Sequence, residues 1–233
     1  GRIILQGSGT PKVAIGTDAS FISMTTGSGI YMDGAGNFKF GDNDGQVKFQ
    51  NGSFSITGSD VASANMLFTG PVTLGAAVTI DTRSTNTDGT ITFSSTINGA
   101  YDLDLLSDDV AIAIQGVIGG TTALATLDIN KADAQTGAIE VASIGDSDTH
   151  GVTGATIIGN DNTATLTLDG TVYKTNSTQN YVAASGNNFN ITGANTAFTT
   201  TGDAWSYETD DLVLGANSDC LLYTSPRPRD ATL

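Results

Sequence analysis

Tyr101-Asp-Leu-Asp-Leu105, continued through Leu106-Ser-Asp-Asp-Val110-Ala-Ile-Ala-Ile114, is the stretch that decides the fold of this chain. In both halves large apolar residues hold every second position, the period of a β-strand whose successive side chains point to opposite faces. Acids fill the alternate positions of the first strand and suit water. Alanines fill those of the second and suit another packed layer.

Working outward, the same period recurs at Ile30/Met32, Phe38/Phe40, Val47/Phe49, Phe54/Ile56, Val72/Leu74, Val78/Ile80 and Ile91/Phe93. Between these runs stand Asp33-Gly34, Asp44-Gly45, Asn51-Gly52, Asp88-Gly89, Asn98-Gly99 and Asp169-Gly170, dipeptides that accept positive φ in tight turns. Short strands with a turn signal about every 8 to 12 residues predict an all-β fold. The one helical candidate, Val61 to Leu67, is short and runs into Thr69-Gly70-Pro71, so it reads as a linker.

Composition agrees: 29 glycines, 14% charged and 7% aromatic residues favour turns and strands over helices, while 39% apolar residues give the chain something to bury. Nine Lys and Arg against 24 Asp and Glu leave a net charge of −15. That balance repels phosphate backbones and anionic lipid, so nucleic acid is not an expected partner. No apolar run approaches the roughly 20 residues that a membrane-spanning helix needs. Gly1-Arg-Ile-Ile-Leu5 has neither an initiator Met nor a signal-peptide pattern, so any targeting signal is expected upstream.

The texture divides the chain. Residues 1–60 carry aromatics and Lys, 61–70 form the linker, and 71–219 turn to Thr, Ala and aliphatic residues. Within the last segment Thr90-Ile-Thr-Phe93 is echoed by Ala164-Thr-Leu-Thr-Leu168, and Gly70-Pro-Val-Thr-Leu-Gly75 by Asp211-Leu-Val-Leu-Gly215, without fixing a period. A repeat-built β-solenoid, parallel β-helix-like, accounts for such a sequence: inward residues stack from coil to coil and Gly, Asn and Asp take the turns. A series of β-sandwich modules is the alternative.

Residues 220–233 break with the rest, holding the only Cys and two of the four Pro. Cys220-Leu-Leu-Tyr-Thr-Ser225 and the Pro-rich run after it resemble the translated end of a transposase adapter used in sequencing libraries, with Arg227 where the usual translation has Ser. This tail is expected to be non-native and both chain ends artificial. Residues 1–219 then lack cysteine, which excludes disulfides and Cys-ligated metal.

Asp88-Gly-Thr-Ile-Thr-Phe-Ser-Ser-Thr-Ile-Asn-Gly-Ala-Tyr-Asp-Leu-Asp-Leu105 and Ile114-Gln-Gly-Val-Ile-Gly-Gly-Thr-Thr-Ala-Leu-Ala-Thr-Leu-Asp-Ile129 resemble repeats of filamentous-haemagglutinin-like surface proteins, over about residues 70–215. The resemblance implies a right-handed parallel β-helix in a secreted bacterial adhesin, a stalk that projects a binding region, with no catalytic residues to carry over. Pro11-Lys-Val-Ala-Ile-Gly16, Gly29-Ile-Tyr-Met-Asp-Gly34, Asn37-Phe-Lys-Phe-Gly41 and Val47-Lys-Phe-Gln-Asn-Gly52 resemble segments of phage tail fibres instead. That implies a trimeric or fibrous host-recognition part, and with it a homo-oligomer.

Side chains with chemistry are sparse. His150 is the only histidine, so no two-His metal site can form within one chain and any Ser-His triad must use it; no Gly-x-Ser-x-Gly elbow accompanies it, and its neighbours suggest an exposed turn. Asp108-Asp109 and Asp210-Asp211 are the carboxylate pairs a tail-spike glycosidase would need, but adjacent strand residues face opposite ways. Gly34-Ala-Gly36 has Lys39 where a dinucleotide fingerprint wants its third Gly, and reads as a hairpin turn. Calcium is the one cofactor considered, with Asp42, Asp44, Asp146, Asp148 and Asp161 as oxygen ligands in turns, though simple turn formation explains them as well. The expectation is an extracellular or cell-surface, non-enzymatic adhesin stalk, with surface glycans or proteins as partners. A phage tail-fibre segment is second and a polysaccharide depolymerase third.

Overall fold

The computed structural model describes residues 2–7, 12–16, 28–41, 46–50, 53–57, 65–84, 88–132, 135–201, 203–215 and 221–224. The chain opens as an antiparallel meander of β1 (Arg2–Gln6), β2 (Lys12–Gly16), β3 (Gly29–Asp33), β4 (Phe38–Gly41), β5 (Gln46–Gln50) and β6 (Ser53–Thr57). Among the later strands every pairing is parallel and joins neighbouring coils, which is the pairing of a β-solenoid.

The first coil is β7 (Met66–Phe68), β8 (Val72–Thr73) and β9 (Val78–Asp81), so the end of the stretch read as a linker already belongs to the solenoid. The second is β10 (Ile91–Phe93), β11 (Ile97–Asn98) and β12 (Leu103–Leu106). In the third and fourth, β13 (Ile112–Ile114), β14 (Leu127–Ile129), β15 (Ile139–Val141) and β16 (Thr156–Ile158) take two faces, and single bridges at Ile118 and Ile144 take the other. Two further coils hold β17 (Thr165–Leu168), β18 (Val172–Thr175), β19 (Gln179–Val182), β20 (Asn188–Ile191), β21 (Ala197–Thr200) and β22 (Trp205–Glu208). A seventh begins with β23 (Asp211–Leu214) and β24 (Leu221–Thr224), the latter within the tail set aside on composition. The result is an all-β solenoid of about six turns, with no helix among the described residues.

Three faces wrap one core. The long sheet has twelve strands, β1 to β6 followed by β9, β12, β14, β16, β19 and β22, and spans roughly 53 Å at about 4.8 Å per strand. The second sheet stacks β7, β10, β13, β15, β17, β20 and β23. Through strands and bridges the third stacks Val72, Ile97, Ile118, Ile144, Tyr173 and Phe198. Meander and solenoid share the long sheet, because β6 pairs in parallel with β9, Ile56 opposite Ile80.

Identical faces stack in register, and this makes the core. Ile91, Ile112, Ile139, Leu166 and Phe189 form one buried column, and Ile80, Leu105, Ile129, Ile158 and Tyr181 another. Each inward side chain touches its own coil and the two neighbouring coils, so the hydrophobic gain accrues coil by coil. The acids beside Leu103 and Leu105 do point outward, Asp102 exposed and Asp104 half-buried. The alanines do not meet a second layer: Ala111 is exposed and Ala113 half-buried, because a solenoid has one core and the sheet's other side is surface.

The bore changes along its length. Apart from Phe68 and Phe93, stacked at 4.5 Å in the first two coils, the early coils are filled by Ile, Leu and Val, whereas the last two hold Tyr173, Tyr181, Phe189 and Phe198, with Tyr173 stacked on Phe198 at 5.1 Å and set edge-on to Tyr181 at 6.2 Å. Aromatic rings bring polar tips, which are satisfied inside: the Tyr173 hydroxyl donates to the Val141 carbonyl (2.8 Å) and Tyr181 to Gln179 Oε1 (2.7 Å). Gln179 in turn donates to the carbonyls of Tyr173 (3.1 Å) and Thr199 (2.8 Å). At the corner after the long sheet a second polar line runs between coils. The Ser107 amide donates to Asn130 Oδ1 (2.8 Å), and Asn160 Nδ2 donates to the Asn130 carbonyl (2.6 Å), all three residues buried.

Candidate functional site

The acidic turns are the only places where the sequence nominates ligands, and the structure spends most of them on the backbone. Asp146 Oδ1 accepts from the amides of Thr149 (2.7 Å) and Asp148 (2.9 Å) and from the Thr149 hydroxyl (2.9 Å). Those bonds hold its carboxyl below the usual range. Asp148 is exposed on the same turn. All three bonds fall on Oδ1, so this oxygen closes the turn that carries it.

Asp161 is exposed beside Asn160, whose Oδ1 accepts from the Asn162 amide (2.7 Å). With Ser185, Glu208 and Asp210 it borders a hollow of about 210 Å³. There Asp210 Oδ2 accepts from the Ser185 hydroxyl (2.6 Å) and the Gly186 amide (2.9 Å), which depress its proton affinity. Asp42 and Asp44 lie outside the described residues. Among the described residues no three His, Cys, Asp or Glu side chains converge as a metal site would require.

His150 is half-buried rather than exposed, its Nε2 lying 3.2 Å from Thr201 Oγ1 across the coils. Burial, with Lys174 nearby, pushes its proton affinity down. Gly34-Ala-Gly36 is a hairpin turn between β3 and β4, closed by the Gly36 amide on the Asp33 carbonyl (3.1 Å), with Asp33 Oδ1 accepting from Ala35 and Asn37.

The acid pairs lie at corners and not within strands: Asp108 and Asp109 fall between β12 and β13, and Asp210 just precedes β23. Asp109 meets Asp88, a buried carboxylate that accepts from the Ser84 amide (2.6 Å) and the Asp109 amide (3.1 Å). The hydrogen bond with Asp88 raises the Asp109 carboxyl above its ordinary value. Sequence reading paired Asp109 with Asp108 and missed Asp88, which lies 21 residues back, the distance from Ile91 to Ile112. The missing signal was the coil length.

Two larger hollows are apolar. One of about 430 Å³ opens at the first coil, between Phe68, Val72, Leu74, Val78, Ile80 and Phe93. Another of about 360 Å³ lies on the meander, between Leu5, Lys12, Val13 and Met32. Neither gathers a nucleophile with a base. No family model matches the chain, and neither does any curated protein or solved structure.

Proposed function

We propose that this chain is a non-enzymatic segment of a large extracellular fibre, a stalk or surface-binding region of a bacterial adhesin. The observation that supports this reading is the unbroken stacking of apolar residues over five successive coils, from Ile91 to Phe189 on one face and from Ile80 to Tyr181 on another. Such a core extends along one axis by adding coils, which suits a spacer. The solenoid is short on basic residues, which disfavours a nucleic acid on its outer face. The meander joined to the first coil favours the second reading, a tail-fibre segment in the virion, because a fibre of several chains needs surfaces that associate.

Genomic sequence around the coding region tests the choice: an adjacent secretion-pore gene supports the adhesin, and baseplate and tail genes overturn it. A second test bears on catalysis. Purified protein that shortens any of a panel of bacterial polysaccharides removes the non-enzymatic reading.

A further inference from the structure

The long sheet keeps the same face apolar beyond the end of the solenoid. Backbone register runs Ile3, Ile15, Ile30, Phe40, Val47 in one line, and through β6 the line continues as Ile80, Leu105 and Ile129. In the coils this is the core face, roofed by the second and third sheets. Val47, on the strand next to β6, still packs on that core.

Farther out no described strand roofs it. Ile3 is 66% exposed, Leu5 76%, Ile15 37%, Met32 43% and Phe40 55%. The opposite face is the buried one, with Ala14, Tyr31 and Lys39 out of water. The meander is thus inverted relative to a sheet that stands alone, a lysine inside and a phenylalanine outside. Single exposed apolar residues are ordinary, but a contiguous face over four strands is not.

Charge says what can cover it. Residues 1–57 hold four basic and four acidic residues, net zero, whereas 58–219 hold three basic and nineteen acidic, net −16. Copies of the solenoid repel one another, and copies of the meander do not. The described side chains in register on the uncovered face are aliphatic, Met or Phe, and the charges that reach its hollow, Lys12 and Asp33, are one of each sign, so the face favours an apolar partner.

We infer that this face is a self-association surface on which a second copy of the chain lays its own meander, sheet against sheet at a spacing of about 10 Å. The second copy supplies the roof that the second and third sheets give the coils. The same patch serves both chains, as a two-fold contact requires. The inference is independent of whether the fibre is bacterial or viral.

The test is the mass of the full chain by light scattering and sedimentation over a range of concentrations, beside a Leu5→Asp/Phe40→Asp variant. The expected wild-type mass is at least twice 23.7 kDa, with the variant at 23.7 kDa and an unchanged far-ultraviolet spectrum. Two buried, unpaired carboxylates should weaken association more than about a hundredfold. Added salt should leave the wild-type assembly intact, since apolar contacts are not screened. A wild type that stays at 23.7 kDa at every concentration, a variant that keeps the assembled mass, or dissociation by salt overturns the inference. If the aspartates disturb the β-signal, Leu5→Thr/Phe40→Thr must still weaken association by about tenfold; an unchanged mass profile overturns it equally.

Discussion

Ile80 and Phe40 stand on the same sheet and the same side of it, yet one is buried in the solenoid and the other lies open in the meander. Nothing in their strands separates them, since both belong to short runs with apolar residues at every second position. What differs is the roof. A coil brings its own second and third faces around the core, while a meander brings only more of the first. Alternation reports that a strand has an apolar side; what covers that side is decided by connections elsewhere in the chain.

The contrast breaks first at large core side chains. Leu105→Ala, in the middle of a fully covered column, should cost about 3 kcal/mol by urea denaturation, whereas Phe40→Ala at concentrations below self-association should stay within about 0.5 kcal/mol. Equal losses would mean that the two faces are covered alike.

Glycine turns sharpen it next. Gly145 in the solenoid and Gly36 in the meander both have φ near +80°, +78° and +81° respectively, but a Cβ on Gly145 would sit 2.6 Å from the Thr149 carbonyl oxygen, and one on Gly36 meets nothing within 4 Å. Gly36→Ala should therefore cost only the left-handed backbone penalty, about 1 kcal/mol, and Gly145→Ala at least about twice that. A thermal-unfolding series that ranks them the other way would remove crowding within the solenoid's turns from the account.

The smallest effect lies on the outer surface. Burial raises the Asp104 carboxyl above its ordinary 3.8, with Asp128 and Asp81 adding repulsion and Lys131 and Arg83 opposing it, and its Oδ1 has no hydrogen-bond partner. Its proton is held more tightly in the folded chain than in the unfolded one. As pH rises past 3.8 the unfolded chain releases that proton first, so stability contributed by the protonated form is lost from there upward. Asp104→Asn should stabilise at neutral pH by a fraction of a kcal/mol after solvent screening, and not at pH values well below 3.8. Chemical denaturation at both pH values checks it, and destabilisation at neutral pH would show that Lys131 outweighs burial.

Much of the fold was legible in residues. The pairs Ile30/Met32, Phe38/Phe40, Val78/Ile80 and Ile91/Phe93 all fall in strands, and Asp33-Gly34, Asn98-Gly99 and Asp169-Gly170 sit at or beside their ends. The echo between Thr90-Ile-Thr-Phe93 and Ala164-Thr-Leu-Thr-Leu168 is genuine: Ile91 and Leu166 occupy one column, three coils apart. The other echo is not, since Val72 lies on the third face and Asp211–Leu214 on the second.

The period stayed hidden because coils differ in length, from 21 residues between Ile91 and Ile112 to 29 between Leu127 and Thr156, with the excess looped out at corners. Inward Thr156 and Gln179 also interrupt a further column that starts with Val78, Leu103 and Leu127; the aromatic coils supply partners for Gln179, while Thr156 Oγ1 has none. The pairing of Asp109 with Asp88 is invisible for the same reason, and Lys39 reads as solvent-facing until the sheet's buried side is known.

The central claim is that residues 65–215 stack as parallel coils. Nuclear Overhauser contacts between strand backbones, recorded on the associating or the monomeric form, test it most directly. The account predicts contacts linking Ile91 to Ile112, Ile112 to Ile139, Ile139 to Leu166 and Leu166 to Phe189, all in the parallel pattern. Antiparallel contacts between strands adjacent in sequence, as in a β-sandwich, would contradict it.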